Sequence, residues 1–429
     1  MVYRPGWVNH LIGWHVYPLG FVGAPTRLES QEVSHRLAHL EAWLDHAVAL
    51  GCSGLALGPV FSSASHGYDT LDYFTIDPRL GDDDDFDHLL QAAHARGLSV
   101  LLDGVFNHVS RRNRIVQDAQ SAGPDSDAGR MVRWCAGHFD VFEGHSDLVA
   151  LNHDNPAVRE HVTRIMNYWC GRGVDGWRLD AAYSVNPEFW AAVLPPVREK
   201  HPDVWIFGEV IHGDYAGIVR ASGMDSVTQY ELWKGIWSSI ESRNFFELDH
   251  ALGRHNEFSD AFTPMTFVGN HDVTRIASRV GQDGAVLATA ILATIGGIPL
   301  IYYGDELAYR GVKKRGSEAT TIFARYSRPT RRICRTPAQT PCALIKTCLA
   351  CGADTRGWWT LAPSPWISRT NAMFIAPECR GSNLSSSNLM CATAARFSSG
   401  KPVRSFGLAE PDPCDRHRPG QSPPKRSRV

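Results

Sequence analysis

The sequence predicts an α/β fold: a (β/α)8 TIM barrel with a small inserted lobe after the third strand and an irregular C-terminal tail. Three observations carry this expectation. The first 310 or so residues alternate apolar runs with amphipathic stretches. Most of the apolar runs are near-continuous, as strands buried on both faces of a parallel sheet should be. There are eight of them, at Leu11–Tyr17, Ser53–Pro59, Leu98–Phe106, Val174–Asp180, Val204–Glu209, Ser226–Tyr230, Met265–Gly269 and Ile298–Tyr303. Such barrels take about 250 residues, more with insertions.

Helices are expected between these strands. Arg36–Leu50 places Leu37, Leu40, Leu44, Ala47 and Val48 on one face. Asp84–Arg96 follows an acidic cluster at Asp82–Asp85, which suits a helix N-terminus through capping and the helix dipole. Asn155-Pro156 opens another helix, with Val158, Val162, Ile165 and Trp169 at helical spacing. The interval after strand 3 is too long for a simple loop and is rich in Gly, Asp and Arg. The expected organisation is therefore a barrel from 1–108 and 152–313, an inserted lobe over 109–151, and an atypical low-order region over 314–429.

The chain changes character near Lys313. Residues 1–314 hold 25 Lys+Arg against 39 Asp+Glu, whereas residues 315–429 hold 18 against 6. The bland net charge of −2 is thus a cancellation of opposite halves. Seven of the 10 cysteines and 12 of the 25 prolines also fall in the second part. Two readings compete: an unusual natural C-terminal region, or a shifted reading frame. The basic tail lacks the aromatic interleaving of a nucleic-acid module, so no nucleic-acid partner is expected.

Four segments carry the chemistry. They are Asp103-Gly-Val-Phe-Asn107-His108, Gly176-Trp-Arg178-Leu-Asp180, Phe207-Gly-Glu209-Val, and Phe267-Val-Gly-Asn270-His271-Asp272. Each lies at the C-terminal end of a candidate strand, where barrel enzymes place their sites. In this order they resemble the four signature regions of the α-amylase family of glycoside hydrolases. Gly296-Gly-Ile-Pro-Leu-Ile-Tyr-Tyr-Gly-Asp-Glu306 is similar to the family's strand 8. The resemblance covers about residues 10–310. It implies a retaining reaction in which one carboxylate attacks the anomeric carbon and another carboxyl protonates the leaving oxygen.

Asp180 is the expected nucleophile. Strand alternation puts Arg178 on the same face, a permanent cation that would keep the carboxylate ionised. Glu209 is the expected acid/base, since the preceding run Val204-Trp-Ile-Phe-Gly would desolvate it and favour its protonated form. Gly208 is expected to let substrate approach the backbone. The remaining roles come from the resemblance. It makes Asp272 the stabiliser of the distorted sugar, His271 and His108 sugar ligands, and Asp103 an organiser of the strand ends. Tyr68, in Ser65-His-Gly-Tyr68, matches the tyrosine that stacks on the sugar ring. Asn107 matches a calcium ligand, but Ala150 stands where the family has an aspartate. One oxygen ligand is therefore missing, so no metal is expected, and no redox or organic cofactor is implied.

The expected substrate is a maltodextrin or another short α-glucan. A transglycosylase and an inactive fragment remain alternatives, because the signatures do not tell water from sugar as the acceptor. The start of the chain has no basic segment before an apolar core, and Leu11–Ala24 is interrupted by His15 and Pro18. A cytoplasmic enzyme with reduced thiols and no membrane partner is expected.

Overall fold

The computed structural model describes residues 4–313. The low-order region expected over 314–429 lies outside the described residues.

Eight parallel strands form one sheet among the described residues, here numbered β1 (Gly13–Val16), β2 (Gly54–Leu57), β3 (Ser99–Gly104), β4 (Gly176–Leu179), β5 (Trp205–Gly208), β6 (Ser226–Val227), β7 (Met265–Phe267) and β8 (Ile298–Tyr302). Their order is β6-β5-β4-β3-β2-β1-β8-β7. Ladders join each neighbouring pair, with Gly176 opposite Leu101 on one side and Trp205 on the other. The two edges meet at one parallel bridge, Thr228 to Met265, and Gln229 N donates to Met265 O at 2.9 Å. The sheet is thus a barrel closed by its slightest seam between β6 and β7.

Alternation sorts the side chains. Ala56, Leu101, Trp205, Phe207, Met265, Phe267, Ile298 and Leu300 share one apolar cluster. Trp14, Leu55, Leu102, Trp177, Leu179 and Ile206 belong to the other, together with the helix residues Val158, Val162, Ile165 and Trp169. Gly176 has no room for a side chain: a Cβ there would lie 2.6 Å from Trp205 O and 3.1 Å from the Leu101 side chain. Such crowding fixes how closely β3, β4 and β5 pack.

Two aspartates pin the strand starts. Asp175 Oδ2 accepts from Val100 N at 2.7 Å, and Asp225 Oδ2 accepts from Ile206 N at 2.8 Å. Each ties one strand to the next by a charge-assisted hydrogen bond. Beyond β8, Arg275 is fully buried and donates to Tyr303 O and Asp305 Oδ1, both at 2.8 Å.

Several expected boundaries move. The single helix expected over Arg36–Leu50 is two, Leu37–Glu41 and Leu44–Leu50. The acidic helix runs Asp83–His94 and carries a full capping box between Asp82 and Asp85. Asn155 caps Pro156–Gly171 by accepting from Ala157 N at 3.0 Å. Tyr230, read as the end of a strand, is instead the first residue of the helix Tyr230–Ser242. Between Asn107 and Leu151 the chain forms a helix at Arg114–Ala122 and a short hairpin of Trp134–Cys135 with His138–Phe139. The segment starts and ends on one antiparallel pair, His108–Ser110 with Leu148–Ala150. Cys52 and Cys170 are buried and unbridged.

Candidate active site

The strand ends bring the four sequence segments together around one guanidinium. Arg178 Nη1 donates to both oxygens of Asp103 at 2.7 Å and to Asp180 Oδ1 at 3.0 Å. Its Nη2 lies 2.9 Å from Glu209 Oε1. Alternation along β4 explains the geometry: Arg178 and the following Asp180 face one way, Trp177 and Leu179 the other.

One cation shared by three carboxylates changes the expected ionisation. Burial pushes Asp180 well above the usual carboxylate range; Arg178 opposes this, while Glu209 and Asp103 add to it. Asp103 is also raised by burial against the pull of Arg178. Arg178 favours the ionised form of Asp180, as expected from its place on the same face, but it works against burial and also serves Asp103 and Glu209.

The surroundings of Glu209 also differ from the purely apolar ones expected. It is buried, yet its Oε1 is ion-paired with Arg178 and accepts from Tyr230 Oη at 3.0 Å, and its Oε2 accepts from Ala181 N at 3.1 Å. Gly208 serves packing instead of substrate approach: a Cβ there would lie 2.5 Å from Met224 Sδ and 2.9 Å from Ala182 Cβ.

Asp272 stands at the rim, with its side chain 41% exposed. Its Oδ2 lies 2.9 Å from His271 Nε2, and its Oδ1 lies 3.4 Å from Lys313 Nζ. Burial opposes ionisation of Asp272, but His271, Lys313 and Arg178 outweigh it and hold the carboxyl well below the usual range. Tyr68 and His271 lie face to face, ring centres 5.0 Å apart, and Tyr68 Oη hydrogen-bonds to His271 Nε2 and to Asp103 Oδ2 at 3.1 Å.

His108 is held differently from the sugar ligand that was expected. Its Nδ1 faces Asn107 Nδ2 at 3.1 Å and its Nε2 faces Tyr68 O at 3.1 Å. Phe142 stacks on the ring at 4.6 Å, and burial pushes the imidazole down to about 3. The ring is a neutral brace with both nitrogens engaged by protein. The Asn107 amide nitrogen is turned to His108, and Ala150 lies opposite His108 in the adjoining pair. Among the described residues, the three-residue grouping of metal-ligand type is His35, Asp82 and Asp85 at the capped helix start, away from Asn107 in sequence.

Four residues at the site escaped the sequence reading. Tyr230 had looked like strand. Ala181 has φ 46° and ψ 35°, a left-handed backbone unusual for a residue with a Cβ, and nothing in its type signals this. Phe142 reaches His108 only through the tertiary fold. Lys313 had marked a change of composition, not a contact, yet its Nζ also donates to His271 O at 2.9 Å.

A parallel barrel with carboxylates gathered on one arginine at its C-terminal face is the architecture of a glycoside-hydrolase-type protein. The family model for the α-amylase catalytic domain matches residues 37–140 and 134–363, and the chain belongs to that family. It is 33% identical over 301 residues to Alpha-amylase 3 of Dictyoglomus thermophilum, covering 63% of this chain and 59% of that protein. With the Intracellular maltogenic amylase of Bacillus subtilis it shares 30% identity over 340 residues, covering 72% of this chain and 57% of that protein. The chain thus spans less than three fifths of the length of these two curated relatives. Among solved structures, the Cyclic alpha-maltosyl-(1→6)-maltose hydrolase of Arthrobacter globiformis, in complex with that sugar, has a TM-score of 0.72 and 26% identity, covering 83% of this chain and 85% of that one.

Proposed function

We propose that the protein is a retaining glycoside hydrolase acting on α-glucosidic bonds of maltodextrins or related short α-glucans. The observation that carries this reading is that one guanidinium, Arg178, hydrogen-bonds Asp180 and forms an ion pair with Glu209. Two carboxyls on one arginine supply the nucleophile and the acid that a retaining mechanism uses.

In the reacting state Asp180 is the carboxylate and Glu209 carries the proton. Asp180 attacks the anomeric carbon while Glu209 protonates the departing oxygen. Glu209 then takes a proton from water, which displaces Asp180 and frees the sugar. Asp272, exposed at the rim and held ionised, favours the positive charge that develops on the ring. Tyr68, Arg178 and His271 position the sugar. His108 acts by bracing Tyr68. A sugar substrate is supported by the related hydrolase from Arthrobacter globiformis, whose structure is known with maltose. A cytoplasmic location belongs to the same proposal and draws on the name of the intracellular Bacillus subtilis relative. Among the described residues, no helix is long and apolar enough to cross a membrane.

The test is hydrolysis of maltotriose by the purified full chain, with the anomer of the first product followed by NMR. Release of the α-anomer is expected. Release of the β-anomer would overturn retention, and no release at all would overturn the activity. Products longer than the substrate would instead mean transfer to sugar.

A further inference from the structure

We propose that Tyr230 is a positioning residue that fixes which oxygen of Glu209 carries the catalytic proton, an inference that rests on the reading of Glu209 as the acid.

The hydrogen bonds around Tyr230 run in one direction. Asn270 Nδ2 donates to Tyr230 Oη at 2.9 Å. An amide nitrogen cannot accept, so the single hydroxyl proton of Tyr230 is left for Glu209 Oε1, 3.0 Å away. Arg178 Nη2 lies 2.9 Å from the same oxygen. Each carboxylate oxygen has two lone pairs. One on Oε1 is taken by Tyr230, and the Arg178 cation, ion-paired with that oxygen, disfavours a proton there. Oε2 takes one donor, the backbone N–H of Ala181 at 3.1 Å. The oxygen left for the proton, away from the cation, is Oε2. When Glu209 is protonated, its hydrogen sits there.

Tyr230 is built to hold this arrangement. It opens its helix, and the Gln229 side chain caps that helix by accepting from Glu231 N at 3.1 Å and Leu232 N at 3.3 Å. The ring packs edge-on against Phe267 at 4.8 Å and Trp233 at 5.8 Å, and the residue is only 7% exposed. Asn270 is fixed in turn, because its Oδ1 accepts from Asp272 N at 2.9 Å. The end of β7 thereby sets the carboxyl at the end of β5.

The consequence for the reaction is specific. The Oε2 proton passes to the glycosidic oxygen as that oxygen takes the electron pair of its bond to the anomeric carbon, while Asp180 forms the new bond. In the second half, a water proton returns to Oε2 as the water oxygen bonds to the anomeric carbon and Asp180 leaves with its electron pair. Without the Tyr230 hydroxyl, Oε1 regains a lone pair and the proton gains a second, unproductive place.

The experiment compares two substrates in the full chain: maltotriose, whose leaving group needs a proton, and an aryl α-maltoside whose activated leaving group does not. Tyr230→Phe is expected to lower kcat/KM at least about 10-fold for maltotriose but less than about 3-fold for the aryl maltoside, a part of the roughly 10²–10⁴-fold that general acid catalysis contributes. Equal losses on both substrates, or no loss on either, would overturn the inference. Glu209→Gln is measured beside it. If Glu209→Gln itself loses both substrates equally, the acid reading of Glu209 fails. If it discriminates and Tyr230→Phe does not, only the role of Tyr230 fails. Should Tyr230→Phe not fold, Asn270→Ala decides by the same comparison, because it frees the hydroxyl to turn away.

Discussion

Arg178 holds Asp103 with both carboxyl oxygens at 2.7 Å from one nitrogen, a closer hold than it has on Asp180 at 3.0 Å or Glu209 at 2.9 Å. Asp103 thus fixes the arginine, and the arginine presents its remaining reach to the two reacting carboxyls. Removal of Asp103 breaks a buried ion pair and releases this hub. Asp103→Ala is expected to lower unfolding free energy by about 3 kcal/mol, at the low end for breaking a buried pair since two other carboxylates remain. Urea unfolding of both proteins measures this; an unchanged midpoint would contradict it.

Asp180→Ala should abolish turnover while leaving the fold in place. It removes one of three carboxylates competing for Arg178, and Asp180 itself is raised by burial. Thermal unfolding within a few degrees of the parent, with loss of at least about 1,000-fold in kcat, is the expected pair of results. A strong drop in melting temperature would mean that Asp180 is structural.

Ala181 offers a trade of activity against stability. A left-handed, non-glycine backbone costs of the order of 1 kcal/mol or more, and here it aims the Ala181 N–H at Glu209. Ala181→Gly relieves that strain but loosens the donor. The variant is expected to unfold at equal or higher temperature with a lower kcat. A gain in both would show that the strain has no role in the site.

Asp305 supplies a pH signature of stability. Burial pushes its pKa from 3.8 to about 6 despite Arg275. The folded state therefore binds this proton more tightly than the unfolded chain. Its contribution is fully present below about pH 4 and is lost as pH rises through about 6. Asp305→Asn mimics the protonated form at every pH. Relative to the parent, its unfolding free energy should rise between pH 4 and 7 by on the order of 3 kcal/mol or less. Parallel curves for the two proteins across that range would rule this out.

How legible this was in the sequence depends on the kind of information involved. Strand ends are readable because apolar runs stop where Asp180, Glu209 and Asp103 begin, and period-2 alternation alone places Arg178 beside Asp180. Charge sharing was not readable. The pull of Arg178 on Asp180 could be read from spacing, but its division among Asp103, Asp180 and Glu209 needs three strands in register. Tyr230 was misplaced because the run from Ser226 stays apolar while the backbone has already turned helical, capped by Gln229. Likewise, His108 looked free to bind sugar because Phe142, some thirty residues on, gives no local sign of stacking on it.

The seam between β6 and β7 has a dynamic consequence. The other seven joints of the barrel are ladders; this one is the bridge from Thr228 to Met265, with the bond from Gln229 N beside it. Opening fluctuations should start where the fewest bonds must break at once. In native-state hydrogen exchange, the amide of Gln229 is expected to exchange sooner than the ladder amides of β3 and β4. Tyr230 is the next residue along the chain. The joint most ready to breathe therefore adjoins the group that orients Glu209, and the same fluctuation that loosens the barrel would briefly disarm its acid.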